Sequence, residues 1–391
     1  MEKRNDFSEK IMRLLSYILV AAIASCVTFF VFANTAPSKL DELESLILEC
    51  FVGETDKTEL EDAAAEAMVV ATGDKWSYYI PADQYDAHVE QMQNAYVGIG
   101  ITISNNLGEQ GFEILQVDPA GGAYEAGILP GDILVAVEQQ SILKIGMDAA
   151  STLIRGEEDS QVEITVLRDG QTLSFSVTRR TIQVIVAEGQ MLEDNIGLVR
   201  IVNFDERCAE ETLAAVTELV DQGAKALIFD VRFNPGGYKA ELTKVLDELL
   251  PEGEIFRSLS YDGQETVTES DANCLELPMA VLINGYSYSA AEFFAAALDE
   301  YDWAVLIGEA TTGKSYFQNT FRLSDGSAVG LSVGKYFTPK GVSLAEAGGL
   351  KPEIQIEMAD DVEVKLYAGM LEPADDPHIQ AAIQVLLEEI A

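Results

Sequence analysis

Between Ile196 and Ile307 short, uninterrupted apolar runs alternate with amphipathic stretches, and few architectures accommodate that order. The segments 196–201, 226–231, 278–284 and 304–307 read as strands that are apolar on both sides, while 209–220 and 289–300 carry the helical repeat. Strands buried on both faces belong to parallel sheets, and successive parallel strands need a crossover helix. An α/β core is therefore expected in the second half. Asp325-Gly326 marks a hairpin between 320–323 and 328–333, and 379–390 reads as an amphipathic helix.

The first half obeys other periods. Leu40, Leu43, Leu46 and Ile47, then the alanine-rich 60–70, recur at helical spacing, so 38–93 reads as short helices. From Tyr96 the period changes to two, through Ile99, Ile101 and Ile103, then Ile114 and Val117, then 133–137. The pair 162–166 and 173–177 flanks Asp169-Gly170, a hairpin signal, and one helix over about 146–155 interrupts these strands. The chain divides accordingly into 1–33, a helical subdomain over 34–95, a mostly β module over 96–180 and the core over 181–391.

The run from Leu14 to Ala33 has no charge and as a helix would span roughly 30 Å of hydrocarbon. Lys3, Arg4, Lys10 and Arg13 precede it and Asp41, Glu42, Glu44 and Glu49 follow, so the positive-inside rule leaves 34–391 outside the cytoplasm. The expectation is one transmembrane helix over 14–33 in the cell membrane, with a cleaved signal peptide as the alternative at Val31-Phe32-Ala33. Asp and Glu number 66 against 25 Lys and Arg, a net charge of −41, which would repel a phosphate backbone and excludes nucleic acid as a partner. Four cysteines without a C-x-x-C and two histidines form no metal-ligand pattern, so neither a metal nor a cofactor is expected.

Lys314 admits two chemistries. Gly308 to Ser315 fits G-x-x-x-x-G-K-[ST] after a strand, the signature of a nucleotide-phosphate loop. That loop needs a helix directly after the lysine to meet the phosphates. Here 315–321 is aromatic and β-leaning, so the context fails. The competing reading starts from Asn284 to Glu292, small and hydroxylic residues between a strand and an alanine-rich helix. Such a turn can expose a serine at a helix amino terminus, where unpaired N–H groups stabilise an oxyanion. Arg232 to Gly237 supplies a glycine-rich turn after another strand of the same core. A serine turn, a glycine-rich amide donor and a glycine-flanked lysine make an acyl-transfer site that needs no histidine.

At these residues the chain resembles the carboxyl-terminal processing proteases, PDZ-containing Ser/Lys peptidases. The family's N-x-x-S-A-S-A-S-E segment is matched by Asn284 to Glu292, which implies Ser289 as nucleophile. Its G-E-x-T-x-G-K-x-x-x-Q segment is matched by Gly308 to Gln318, which implies Lys314 as base and Gln318 as the residue that orients it. Arg232 to Gly237 matches R-x-N-P-G-G, which implies oxyanion donors from the Gly236 and Gly237 backbone beside the Ala290 N–H. The β module resembles a PDZ domain, in which Val97, Gly98, Ile99, Gly100 and Ile101 would receive a peptide's terminal carboxylate. The resemblance implies a crotonase-like protease core with the PDZ domain inserted. Tyr288, Ala291, Phe233 and Ser315 depart from the family pattern around the site. The implied activity is that of an exported, membrane-anchored serine endopeptidase acting on proteins or peptides with free C-termini; homo-oligomerisation is left open. A catalytically idle PDZ scaffold and a nucleotide hydrolase are the alternatives.

Overall fold

The computed structural model describes residue 12 and residues 15–26, 37–104 and 110–391. Residues 15–26 are helical and exposed. The expected membrane span over 14–33 lies partly outside the described residues, and among those described no helix is long and apolar enough to cross a membrane. The chain forms two compact units that divide after Asp74.

The first unit carries helices Lys39–Cys50 and Lys57–Val70. Ser38 and Asp41 cap the first reciprocally, and the Asp56 carboxylate receives the N–H of Thr58 and Glu59 at the start of the second. Each cap satisfies amides that the helix itself leaves unpaired.

The second unit begins with a departure from the helical reading of 38–93. Tyr78–Ile80 is a strand, antiparallel to Ala328–Phe337 with Tyr78 opposite Gly330. Glycine at 330 leaves room for the Tyr78 ring, from which a Cβ would lie 2.3 Å away. Helix Tyr85–Met92 follows, and Ala95–Gly98 then pairs antiparallel with Arg180–Gln183. The β module leaves and rejoins the rest of the unit through this two-stranded ribbon.

Within the module, strands Ile101–Ser104, Phe112–Val117, Ile133–Val137, Gln161–Arg168 and Gln171–Thr178 lie side by side in that order. Alternate residues Ile114, Leu134, Ile164, Val166 and Val177 are fully buried, as period two requires. Asp169 and Gly170 both have positive φ, 50° and 77°, in the two-residue turn between Arg168 and its partner Gln171. The helix is longer than its expected 146–155: it runs over Ile142–Ile154, broken at Gly146 (φ 81°), because Ile142 is buried and extends the apolar face backwards. Arg179 caps its far end, donating to the carbonyls of Leu153 and Ile154.

The core sheet orders Ala187–Met191, Ile196–Ile201, Ala226–Asp230, Met279–Ile283, Ala304–Gly308 and Ile354–Gln355. The first pair is antiparallel and the others are parallel. Val199, Phe229, Val281 and Leu306 face helices Cys208–Asp221, Lys239–Leu249 and Ala290–Glu300, while Leu198, Ile228, Ala280 and Ile307 face the last helix, Pro377–Ile390. Two-sided burial explains the unbroken apolar runs. Tyr316–Arg322 follows Lys314 as a strand paired with Ala328–Phe337, so no helix stands where a phosphate-binding loop would need one.

The last helix is fastened by a buried cluster. Arg232 Nη2 donates to Asp230 and Asp376 at 2.7 Å each. Its Nη1 lies 3.3 Å from His378 Nδ1, and His378 Nε2 lies 2.9 Å from the Ile356 carbonyl. A guanidinium only donates, so Nδ1 accepts and the imidazole is neutral with its proton on Nε2. Burial, then the Arg232 charge, holds this histidine below its ordinary 6.5. The unfolded chain then binds the extra proton first, so the contribution of this histidine to stability falls as pH drops below about 6.5. Asp205, which burial pushes up to about 7, acts in the opposite sense over the same range. The test is therefore the comparison with His378→Gln: between pH 7 and 5 the denaturant midpoint of the wild type should fall relative to that of the variant, and a difference that does not change with pH would remove His378 from the acid response.

Candidate active site

Three backbone segments converge at the carboxyl ends of adjacent core strands. Strand Met279–Ile283 runs into the turn 284–289, after which helix Ala290–Glu300 begins. Asn284 Oδ1 receives the N–H of Tyr286 at 3.2 Å and of Phe233 at 3.0 Å, joining the serine turn to the neighbouring loop. Ser287, fully buried, donates its hydroxyl to the Val231 carbonyl at 2.8 Å. Ser289 itself has φ 59° and ψ −124°, a conformation that L-residues adopt at a cost of about 1–3 kcal/mol and that occurs where a surrounding frame enforces it.

The frame is Glu292. This carboxylate is wholly buried and accepts four donors: Oε2 takes the N–H of Ser289 at 2.9 Å and of Lys314 at 2.8 Å, and Oε1 takes the Gly313 N–H at 2.7 Å and the Thr311 hydroxyl at 2.5 Å. Burial raises its pKa above the usual carboxylate value, and the four donors act against that rise. From the sequence, Glu292 reads as a helix first-turn acid. It is also the brace between the serine turn and the lysine loop, and nothing local in the sequence marks that second role. Thr312 adds a stitch, its N–H to the Ser287 carbonyl at 3.2 Å and its hydroxyl to the Gly285 carbonyl at 2.7 Å. Leu350 closes the far side, its carbonyl accepting from Thr311 N–H and its N–H donating to Thr311 Oγ1.

The Lys314 ammonium lies over the Trp76 ring at 4.8 Å and the Tyr288 ring at 5.8 Å, and the two rings stack 5.8 Å apart. Aromatic faces of this kind attract a cation. From the sequence, Phe317 and Tyr316 are the residues expected to pack around this amine when the site is closed. In this structure Phe317 stacks on Tyr336 at 4.6 Å and Tyr316 faces Lys335, both lying in the strand Tyr316–Arg322 that pairs with Ala328–Phe337. Gln318 Nε2 donates to the Tyr316 carbonyl at 3.2 Å and to Ser332 Oγ at 2.9 Å.

The glycine loop lies directly against the serine. A Cβ on Gly236 (φ 90°) would sit 2.8 Å from both Ser289 Cβ and the Ala290 nitrogen. The Gly236 N–H is already spent on Asn234 Oδ1 at 2.8 Å. The Gly237 N–H has no partner among the described residues, and the Ala290 N–H opens a helix, where the first amides have no intrahelical acceptor. Beneath this loop Phe204 exchanges backbone bonds with Gly236 and Tyr238 at 2.8 Å each.

Some distance along the chain, Gly98, Ile99, Gly100 and Ile101 line a cavity of about 250 Å³ closed by Ile154 at the end of the module's helix and by Arg155 just beyond it. Val97 lies instead in the ribbon, opposite Thr181. Arg155 is half-exposed, over the Tyr96 ring at 5.2 Å and 3.9 Å from Glu90.

Residues 195–356 match peptidase family S41, and 113–168 match the PDZ domain family. The carboxy-terminal processing protease CtpA of Bacillus subtilis (strain 168) is 32% identical over 361 residues, covering 88% of this chain and 76% of the relative. The carboxyl-terminal-processing protease of Synechocystis sp. is 28% identical over 337 residues, covering 84% and 77%. A solved S41 protease from Bacteroides fragilis covers 91% of this chain and 98% of its own, at 17% identity and a TM-score of 0.52, a likeness of fold.

Glu292→Gln turns an amide NH₂ toward donors and leaves buried N–H groups unpaired. It should lower stability by about 1–3 kcal/mol in chemical denaturation and cut peptide turnover by roughly 100-fold or more. Turnover within threefold of wild type would show that the brace is dispensable.

Proposed function

The chain belongs to peptidase family S41, among the carboxy-terminal processing proteases, and from that premise we propose a serine endopeptidase that attacks with Ser289 and uses Lys314 as its base. The observation that carries this reading is the single Glu292 carboxylate that fixes the backbones of Ser289 and Lys314 together. Ser289 Oγ attacks the scissile carbonyl while Lys314 takes its proton. The Gly237 and Ala290 amides meet the oxyanion, with Gly236 the close-packed residue that lets the loop approach. Lys314 returns the proton to the leaving amine, and water then hydrolyses the acyl-enzyme. At a reference pKa of about 10.4 roughly one lysine in a few thousand is neutral at pH 7. Lys314 must therefore leave its aromatic cover and be desolvated against Ser289, with the Gln318 side chain orienting it, as bound substrate closes the site.

We further propose that 96–180 acts as a PDZ domain between a helical subdomain over 34–95 and a protease core over 181–391. Substrates bind it by their free C-termini, as an added strand beside Ile101–Ser104, with the carboxylate held by amides of the Gly98 to Ile101 turn. The uncharged run 14–33 with its basic flank supports a single-pass anchor in the cell membrane and an extracytoplasmic catalytic part.

Ser289→Ala and Lys314→Ala should each lower peptide turnover by roughly 10³-fold or more while thermal unfolding stays close to wild type. Lys314→Arg should be equally inactive, because a guanidinium stays protonated and cannot serve as base; measurable turnover by that variant would sink the dyad. For tail recognition, one peptide is compared with free and amidated ends. Amidation removes the charge and should weaken kcat/KM by about tenfold, equivalent to about 1.4 kcal/mol. Equal rates would reduce the PDZ domain to a spacer.

A further inference from the structure

Resting on the peptidase reading, we propose that Phe233, Tyr286 and Tyr367 form a substrate subsite that selects a large apolar or aromatic side chain beside the scissile bond. Phe233 lies three residues before Gly236, and Tyr286 three residues before Ser289. The shared acceptor Asn284 Oδ1 fixes both backbones, so the two side chains are placed by the same bonds that place the catalytic turn. Their rings stack with centroids 5.2 Å apart and planes 17° from parallel. Tyr367, the last residue of helix Asp360–Tyr367, meets Phe233 edge-on at 5.3 Å. Tyr286 is 58% exposed and Tyr367 77%, so most of this aromatic surface faces solvent.

Phe233 has φ 59°. A bulky side chain is strained in that region, and glycine or asparagine would hold the same turn more easily. The backbone thus gives no reason for an aromatic residue here. The neighbouring loop residues do have structural reasons, Asn234 through its bond to the Gly236 N–H and Gly236 through its close approach to Ser289. An extended peptide advances about 3.3 Å per residue, so a side chain one to three residues from the carbonyl presented to Ser289 is within reach of rings set this close in sequence to the serine and the glycine loop. Such rings bury an apolar side chain and stack on an aromatic one. The chain near Tyr367 adds exposed Val364 and Met370, which favours an apolar occupant, and Asp360, Asp361 and Glu363 in the same helix disfavour an acidic one.

The test uses the full chain and peptides that differ only in Ala, Leu, Phe, Lys or Asp at each of the three positions on either side of the cleaved bond. At one position the wild type should show kcat/KM about tenfold higher for Phe or Leu than for Ala. Phe233→Asn removes the ring while keeping a residue suited to positive φ, and should bring that ratio to about 1. Tyr367→Ala lies outside the loop; it should lower the same ratio severalfold, and it decides the matter if Phe233→Asn turns over too slowly to measure. Ratios unchanged in both variants, or a wild type that prefers Lys or shows no preference, would overturn the subsite while leaving the peptidase intact. A wild type that cleaves none of the peptides would instead remove the peptidase reading and the subsite with it.

Discussion

One buried carboxylate fixes the turn that follows one core strand to the loop that follows its neighbour. Glu292 receives an amide from the turn that ends the third parallel strand and two amides and a hydroxyl from the loop that follows the fourth. An isolated carboxylate could not be buried at so small a cost; four donors make it tolerable, and the same four donors are thereby immobilised. The strained backbone of Ser289 is a consequence, since a residue at φ 59° needs an external tie to keep it there. Asn284 repeats the device on the other side by joining the serine turn to the glycine loop. The backbones of the serine turn, the lysine loop and the glycine loop are thus held together by side chain to backbone bonds.

What the sequence discloses follows from the range of the interactions involved. The strands at Ile196–Ile201 and Met279–Ile283 are legible because burial on both faces demands apolar residues throughout, and the Asp169-Gly170 turn because two successive positive φ values leave few residue choices. Ser289, Lys314 and the paired glycines stand out as breaks in regular elements and as matches to a known family pattern. The strand Tyr78–Ile80 does not stand out: three residues become a strand only through partners about 250 positions away. Trp76 over Lys314 is equally silent, and so is the capture of the Gly236 amide by Asn234. Each of these depends on where a distant segment comes to rest, which no local period encodes.

The aromatic cover of Lys314 places a tension at the centre of the site. Ring faces favour the ammonium, whereas the base proposed for Lys314 has to be neutral. On the proposed dyad, rings that favour the cation until substrate closes the site would limit reaction of Ser289 with anything but a bound substrate. Only Ser77 separates Trp76 from the strand Tyr78–Ile80, so the position of that ring is tied to the pairing of a strand remote from the serine in sequence.

The two-stranded ribbon has a separate implication for how such a protein can be rebuilt. Ala95 lies opposite Gln183 and Gly98 opposite Arg180, so the chain enters and leaves the β module at neighbouring points. An insertion attached this way is topologically a loop: a tight turn joining the two strands would close the remainder without stretching it. By the same reasoning a different module could be grafted onto the ribbon, and the register of its two strands would set the orientation in which the new module is presented.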